Sequence, residues 1–363
     1  MVQGTGTQGT GTHGPDTDKL LRRIADIEDD CLVVLGLNIT SLPELPPGLQ
    51  SLNCDYTQLT SLPYLPTELQ KLSCSSATQL TSLPELPATL QRLFCCDTQL
   101  TSLPELPPVL QILECNNTRL RELPELPAVL QMLLCSATQL TSLPELPTDL
   151  QELYCSDTQL TSLPELPLGL TKLYCCNTQM TSLPELPARL QDLWCSDTQL
   201  TELPELPPDL QILDCSATQL TSLPELPAGL QDLYCYTTQL TSLPELPAGL
   251  QKLSCTDTQL TSLPELPAGL QELYCCDTQL TELPELPLGL RKLRCSDCPN
   301  LIIQRHQYES IANYRKRWTS WRKEQEQEQE RASKARCQKR NLEIKEDLIT
   351  ECWKPGRDDK IPL

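Results

Sequence analysis

The sequence predicts an α/β solenoid of stacked coils of about twenty residues. Each coil pairs a short parallel strand on a concave face with an extended, polyproline II-like return on a convex face, and a helical cap closes each end. Three observations predict it. A unit of the form "LTSLPELPAGLQELYCCDTQ" starts at Ile39, Leu59 and Leu80 and then every 20 residues to Leu280, thirteen times in all. Around Leu273, Tyr274 and Cys275 apolar and polar faces alternate, as in a half-buried strand. Two prolines in each "LPELP" forbid a helix there and favour extended chain.

The elements follow in order. Residues 1–15, "MVQGTGTQGTGTHGP", hold no apolar run; they read as a disordered Gly/Thr tail and not as a signal peptide. Residues 16–38 read as an N-terminal cap. "DTDKLLRRIADIEDD", Asp16 to Asp30, opens on an Asp or Thr cap and puts Leu20, Leu21, Ile24 and Ile27 on one helical stripe. "CLVVLGLNIT" then resembles a truncated first strand. Residues 39–300 are the thirteen repeats, the second carrying one extra residue at "CSSATQ". In the unit from Leu270, the side chains of Leu270, Leu273, Cys275, Leu280, Leu283 and Leu286 are expected to point inward. Strands stacked at roughly 4.8 Å give a sheet on the order of 58 Å long.

Residues 301–363 form a charged, Trp-containing helical cap or tail. Ile311, Tyr314, Trp318 and Trp321 fall at helical spacing and are expected to cover the last coil. "EQEQEQE" has no apolar stripe, and Leu342, Leu348, Ile349 and Trp353 form a second apolar group. No stretch approaches the ~18 apolar residues of a membrane helix.

The chain is acidic, with a formal net charge of −20. Of its 28 basic residues, 15 follow Asn300. The excess of carboxylates argues against nucleic acid as the main partner, because phosphates are met by Lys and Arg. The basic run from Lys334 to Arg340 is at most a weak nuclear or nucleic-acid signal.

Read from the strand, "LQELYCCDTQL" (Leu270 to Leu280) matches the pattern L-x-x-L-x-L-x-x-N-x-L, with Cys275 at the sixth position and Thr278 at the ninth. With "LPELP" it resembles the LPX subtype of leucine-rich repeats, found in YopM-like scaffolding effectors and IpaH-like effector ubiquitin ligases. The closing "CSDCPNL" and the tail "ECWKPGRDDK" resemble leucine-rich repeat proteins of Marseillevirus-type giant viruses. The resemblance implies a leucine-rich-repeat horseshoe that binds a protein, in the cytoplasm of a host cell. It implies two other roles as alternatives, a ubiquitin-ligase-associated adaptor and a structural virion component. The pattern's ninth residue is usually Asn; here Thr takes it in twelve repeats, Thr57 to Thr278, and Cys298 in the last. A hydroxyl offers one donor hydrogen where an amide offers two, so the loops are expected to be less firmly tied.

Twenty cysteines raise the question of chemistry. Thirteen recur at one position per repeat, from Cys54 to Cys295, and read as a buried column that includes Cys195 and Cys215 beside the core leucines Leu193 and Leu213. Such a reduced column suits an intracellular setting. Cys96, Cys176 and Cys276 follow it and are expected nearer solvent. Metal sites need clustered Cys and His; only His13 and His306 occur, and the one C-x-x-C, Cys295 to Cys298, falls on core positions. Cys-x-Asp, the start of a ligase nucleophile motif, occurs six times at the repeat period, a poor mark of one active site. Cys337 and Cys352 lie in the tail, and Cys337 has basic neighbours. No nucleophile set or phosphate loop appears, so no enzyme and no cofactor is expected.

The residue before each column cysteine faces the other side of the strand. Six of the nine aromatics in the repeats stand there: Phe94, Tyr154, Tyr174, Trp194, Tyr234 and Tyr274. Clustered aromatics of this kind anchor protein partners, although stacking across strands also stabilises a sheet. The third position mixes Lys71, Arg92, Lys172, Lys252 and Lys292 with Glu152, Asp192, Asp232 and Glu272, and the eighth adds rim charges such as Asp197. The returns carry Glu in twelve repeats, Glu44 to Glu285, with Tyr64 the exception. That outer ladder reads first as a solubility device. The partner-facing set is therefore Phe94, Tyr154, Tyr174, Trp194, Tyr234, Tyr274, Asp197 and Lys172.

Overall fold

A computed structural model describes residues 15–27, 30–303 and 309–352, with side chains to residue 336. The chain divides into two units after Ile302. The first is a solenoid of fourteen three-residue strands in one parallel sheet, ordered as in the sequence. They are β1 (Cys31–Val33), β2 (Ser51–Asn53), β3 (Lys71–Ser73), β4 (Arg92–Phe94) and β5 (Ile112–Glu114). There follow β6 (Met132–Leu134), β7 (Glu152–Tyr154), β8 (Lys172–Tyr174), β9 (Asp192–Trp194) and β10 (Ile212–Asp214). The last are β11 (Asp232–Tyr234), β12 (Lys252–Ser254), β13 (Glu272–Tyr274) and β14 (Lys292–Arg294).

Register is uniform. Each central leucine pairs with the next, Leu193 with Leu213 and Leu213 with Leu233. These leucines and the column cysteines are buried, as are Leu270, Leu273, Leu280, Leu283 and Leu286. A parallel ladder that holds identical residues at identical depth lets every coil bury its apolar face on its neighbours.

The first coil is complete, not truncated. β1 pairs with β2 along its whole length, and Val34 occupies the place that cysteine takes in later coils. Helix α1 (Pro15–Ala25) packs against β1. Proline at its first position carries the fixed φ a helix start needs, and Asp16 accepts from Lys19 Nζ (2.7 Å) and from the Asn38 amide (3.1 Å). Arg23 donates to the Val33 carbonyl at 2.8 Å. Leu20 is buried, but Leu21 faces out and Ile27 lies past the helix end, so the apolar stripe is narrower than the sequence pattern suggests.

Two turns shape each coil. At the end of the return a proline carbonyl accepts from the leucine amide three residues on, as from Leu230 to Pro227 (3.1 Å). After the strand, the eighth residue is left-handed. Thirteen non-glycine residues from Tyr56 to Asp297 take φ between 51° and 57°, and Gly36 takes the place in the first coil. Eight of the thirteen are Asp or Asn, the side chains that tolerate this conformation best. The backbone alone therefore accounts for an aspartate at position 197.

Threonine at the ninth position acts within its own coil. Thr198 Oγ1 donates to the Cys195 carbonyl at 2.8 Å, and its counterparts do the same. The tie along the stack comes from the left-handed residue, whose amide reaches the next coil: Asp197 N to Ser216 O, 3.0 Å. These loops are thus bonded along the solenoid without an Asn ladder. The extra residue of the second repeat shifts the pattern: Ala77, not Thr78, fills the buried ninth place, leaving eleven threonines in the column. Cys298 fills the last place, its Sγ 3.1 Å from the Cys275 carbonyl.

The second unit holds α2 (Ile311–Cys352), one unbroken helix through "EQEQEQE". Ser310 caps it, its Oγ accepting from the Asn313 amide (3.2 Å). Tyr314 and Trp318 are buried, and Tyr314 donates to the Ile303 carbonyl at 2.9 Å. Trp318 and Trp321 meet edge to face. The tail 1–14, His306 and Trp353 lie outside the described residues, as do the side chains of Cys337, Leu342, Leu348, Ile349 and Cys352. Among the described residues, no helix is long and apolar enough to cross a membrane.

Candidate functional site

The third residue of each strand projects from the sheet on the face opposite the core. There four of the six aromatic residues stack on one another. Tyr154 and Tyr174 lie 4.5 Å apart, centroid to centroid, at 16°, and Tyr174 and Trp194 lie 5.6 Å apart at 9°. Trp194 also reaches Tyr234, at 6.0 Å and 29°, across the intervening strand β10. The break in the row is Asp214, which is buried and accepts from the Ser216 amide at 3.0 Å. Phe94 and Tyr274 stand apart from this stack, each with a lysine over its ring, Lys71 at 5.4 Å and Lys252 at 5.9 Å.

The rings are half-buried, because each covers its neighbour's face and leaves edges toward solvent. Stacked pairs are worth about 0.5–1.5 kcal/mol each beyond their buried area. Burial in the stack pushes the Tyr174 hydroxyl pKa upward, and in Tyr154 the Glu152 carboxylate adds to that. The stack also has a cost: Trp194 Nε1 is buried with no acceptor, and an unmet donor costs about 1–3 kcal/mol.

Polar groups from the first strand position flank the rings. Tyr154 donates to Glu152 (3.1 Å), Tyr274 to Glu272 (2.9 Å) and Tyr234 to Asp232 (3.4 Å). Lys172 pairs with Glu152 at 3.1 Å, and Lys292 with Glu272 at 2.6 Å, which lowers the Glu272 pKa. Lys252 lies over Tyr234 at 4.7 Å. Burial raises the Asp192 and Glu114 pKa values. Asp197 is exposed on the rim, outside the stack.

One ordered feature is absent from the sequence reading. The glutamine just before the strand forms side-chain bonds along the stack in two stretches: Gln70 donates to Gln50 (3.3 Å), and Gln231, Gln251 and Gln271 each donate to the glutamine of the coil before, as Gln251 to Gln231 (3.4 Å) and Gln271 to Gln251 (3.2 Å). Its signal was the Gln after the first leucine of almost every repeat.

Cysteine chemistry has no foothold in the column. Cys195 and Cys215 are fully buried, and burial pushes their pKa values up, the opposite of what a nucleophile needs. Cys96 and Cys176 are half-buried and also raised, Cys96 to about 11. Among the described residues, no group of His, Cys, Asp and Glu is placed to hold a metal.

No family model matches the chain, and no curated protein does. Solved structures do. The leucine-rich effector protein YopM of Yersinia pestis is 33% identical, with a TM-score of 0.69; the match covers 79% of this chain and 89% of that one. YopM of Yersinia enterocolitica is 28% identical over 80% of this chain and 92% of that one, with a TM-score of 0.51. A leucine-rich repeat protein of Leptospira interrogans shares the fold at 22% identity and a TM-score of 0.57, over 79% of this chain and 98% of that one.

Proposed function

Because the chain belongs to the YopM-like leucine-rich repeat proteins, we propose that it is a non-enzymatic scaffold that binds a partner protein on its concave face. One observation carries this reading: the Tyr154–Tyr174–Trp194–Tyr234 stack on the open side of the sheet. Its edges offer rigid apolar area that loses little side-chain entropy on binding. Ile112 and Met132, at the first position of β5 and β6, extend the apolar surface on one side, and Ile212 on β10 adds to it within the stack. Lys172, Phe94, Tyr274 and Asp197 belong to its periphery. The LPX subtype is part of this reading, as is action in the cytoplasm of a host cell, consistent with a reduced thiol column. The resemblance of the closing "CSDCPNL" and the tail to giant-virus repeat proteins supports a viral source for the gene.

The test is affinity purification from host cells with the wild type and the Tyr174→Ala/Trp194→Ala double variant, followed by hydrogen exchange on each recovered complex. Partners that depend on the pair and protect β7 to β11 support the reading. Equal recovery of every partner by both proteins would overturn it. A ubiquitin-discharge assay on the purified chain is expected to show no thioester on Cys195 or its column counterparts, since these are buried.

A further inference from the structure

The aromatic stack runs beside a stretch of sheet where charge is left unpaired. Along the first strand position the order is Glu152, Lys172, Asp192, Ile212, Asp232, Lys252 and Glu272, in register on consecutive strands. Alternating signs would let every charge pair with a neighbour. They do not, because Ile212 interrupts the row. Lys172 turns away from Asp192 to Glu152 (3.1 Å). Lys252 turns away from Asp232 toward the Tyr234 ring (4.7 Å) and Glu272 (3.9 Å). Asp192 and Asp232 are left on either side of Ile212, about 10 Å apart at strand spacing. Among the described residues neither has a cation within 4.0 Å, and Asp232 has only the weak tyrosine hydroxyl contact at 3.4 Å. Asp214, buried on β10 between the strands of Trp194 and Tyr234, adds a third carboxylate.

We infer that this interval receives basic side chains of the partner: an arginine or lysine whose stem lies across Ile212 and the ring edges and whose charged head pairs with Asp192 and Asp232. The inference rests on the binding reading above and names the chemistry of the partner. Long basic side chains bury an apolar stem while keeping their charge at a rim, and arginine meets carboxylates through two parallel hydrogen bonds. The same face already holds cations in this way at Phe94 and Tyr234, where Lys71 and Lys252 supply them from within the chain. None of the three strands β9 to β11 carries a basic residue of its own, and no cation pairs with Asp192 or Asp232 within 4.0 Å among the described residues. Burial raises the Asp192 pKa even though the more distant Lys172 acts to lower it, and a partner's cation beside the carboxylate would favour the ionised form further.

The test uses the full chain, immobilised, and a displayed library of random peptides about twelve residues long. Selections are run on the wild type, on Asp192→Asn/Asp232→Asn, on Glu205→Gln/Glu225→Gln and on Trp194→Ala. The Glu pair lies exposed on the returns, so both double variants lose the same charge. The wild-type pool should be enriched about threefold in Arg and Lys over the Asn pool. Individual peptides should lose about tenfold in affinity on the Asn variant and less than about twofold on the Gln variant. Equal losses on both variants would reduce the effect to net charge and overturn the inference. Peptides that need Trp194 but carry no basic residues would overturn it while leaving the binding reading intact. A library with no peptide dependent on Trp194 would bring down both.

Discussion

Two columns of the same strands, one residue apart, obey different rules. The sixth position holds cysteine in thirteen consecutive coils, buried throughout. The fifth holds Asn, Ser, Phe, Glu, Leu, Tyr, Trp, Asp and Arg by turns. A parallel solenoid explains the first. Each inward site has the same volume, so one small apolar side chain fits them all. It does not explain the second, since on the open face many residues satisfy the sheet. What varies there is free to be set by what the face must meet.

The largest break in the inner column is a truncation. Leu193→Ala should cost about 2–5 kcal/mol by urea denaturation, because the site cannot collapse between two rigid neighbouring coils. The transition is expected to broaden, since coils couple mainly to their neighbours.

The outer column should respond less, and in a way that separates stacking from burial. Trp194→Ala removes ring contacts with Tyr174 and Tyr234 and should cost about 1–3 kcal/mol. Trp194→Phe keeps a ring and deletes the N–H that has no acceptor, so its melting temperature should match or exceed wild type. A clear loss of stability in the Phe variant would mean that the indole's size, not its stacking, holds the site.

The period made most of the inner column legible in the sequence. Twenty-residue spacing and the leucine pattern gave strand, return and burial, down to the inward set around Leu273. The misreadings come from places where the period slips or ends. Val34 completes a coil without the cysteine that marks the others, and the inserted residue puts Ala77 where Thr78 was expected. The outer column was legible as a list of residues but not as an arrangement. Trp194 and Tyr234 belong to strands that are not adjacent, and their contact spans the strand of the buried Asp214. Spacing along the chain does not encode that. Nor does it show that Lys172 and Lys252 turn outward and leave Asp192 and Asp232 unpaired.

Asp192 sharpens the contrast through pH. Burial raises its folded pKa above the unfolded value, so the ionised group opposes folding at neutral pH. That opposition fades as pH falls through the raised folded pKa. Asp192→Asn should therefore melt slightly higher than wild type at pH 7, with the gap closing on acidification. A gap that stays constant with pH would assign the gain to something other than the charge.

The smallest effect lies in the turn that both columns share. Thr237 sits at φ 54°, a left-handed conformation that crowds a β-branched side chain. Aspartate or asparagine fills the same place in eight coils, and both adopt it with less strain. Thr237→Asn should leave the sheet, the stack and any partner contact unchanged, because residue 237 is exposed and its tie to the next coil is the backbone amide to the Thr256 carbonyl, 2.8 Å. It should stabilise the chain by about 0.5–1 kcal/mol, read as a higher urea midpoint at constant slope. The exchanged residue neither fills the core nor touches the open face, so a gain of that size would show that the eighth column is chosen by backbone conformation. Loss of partner binding in this variant would instead return the rim, Asp197 included, to the recognition surface.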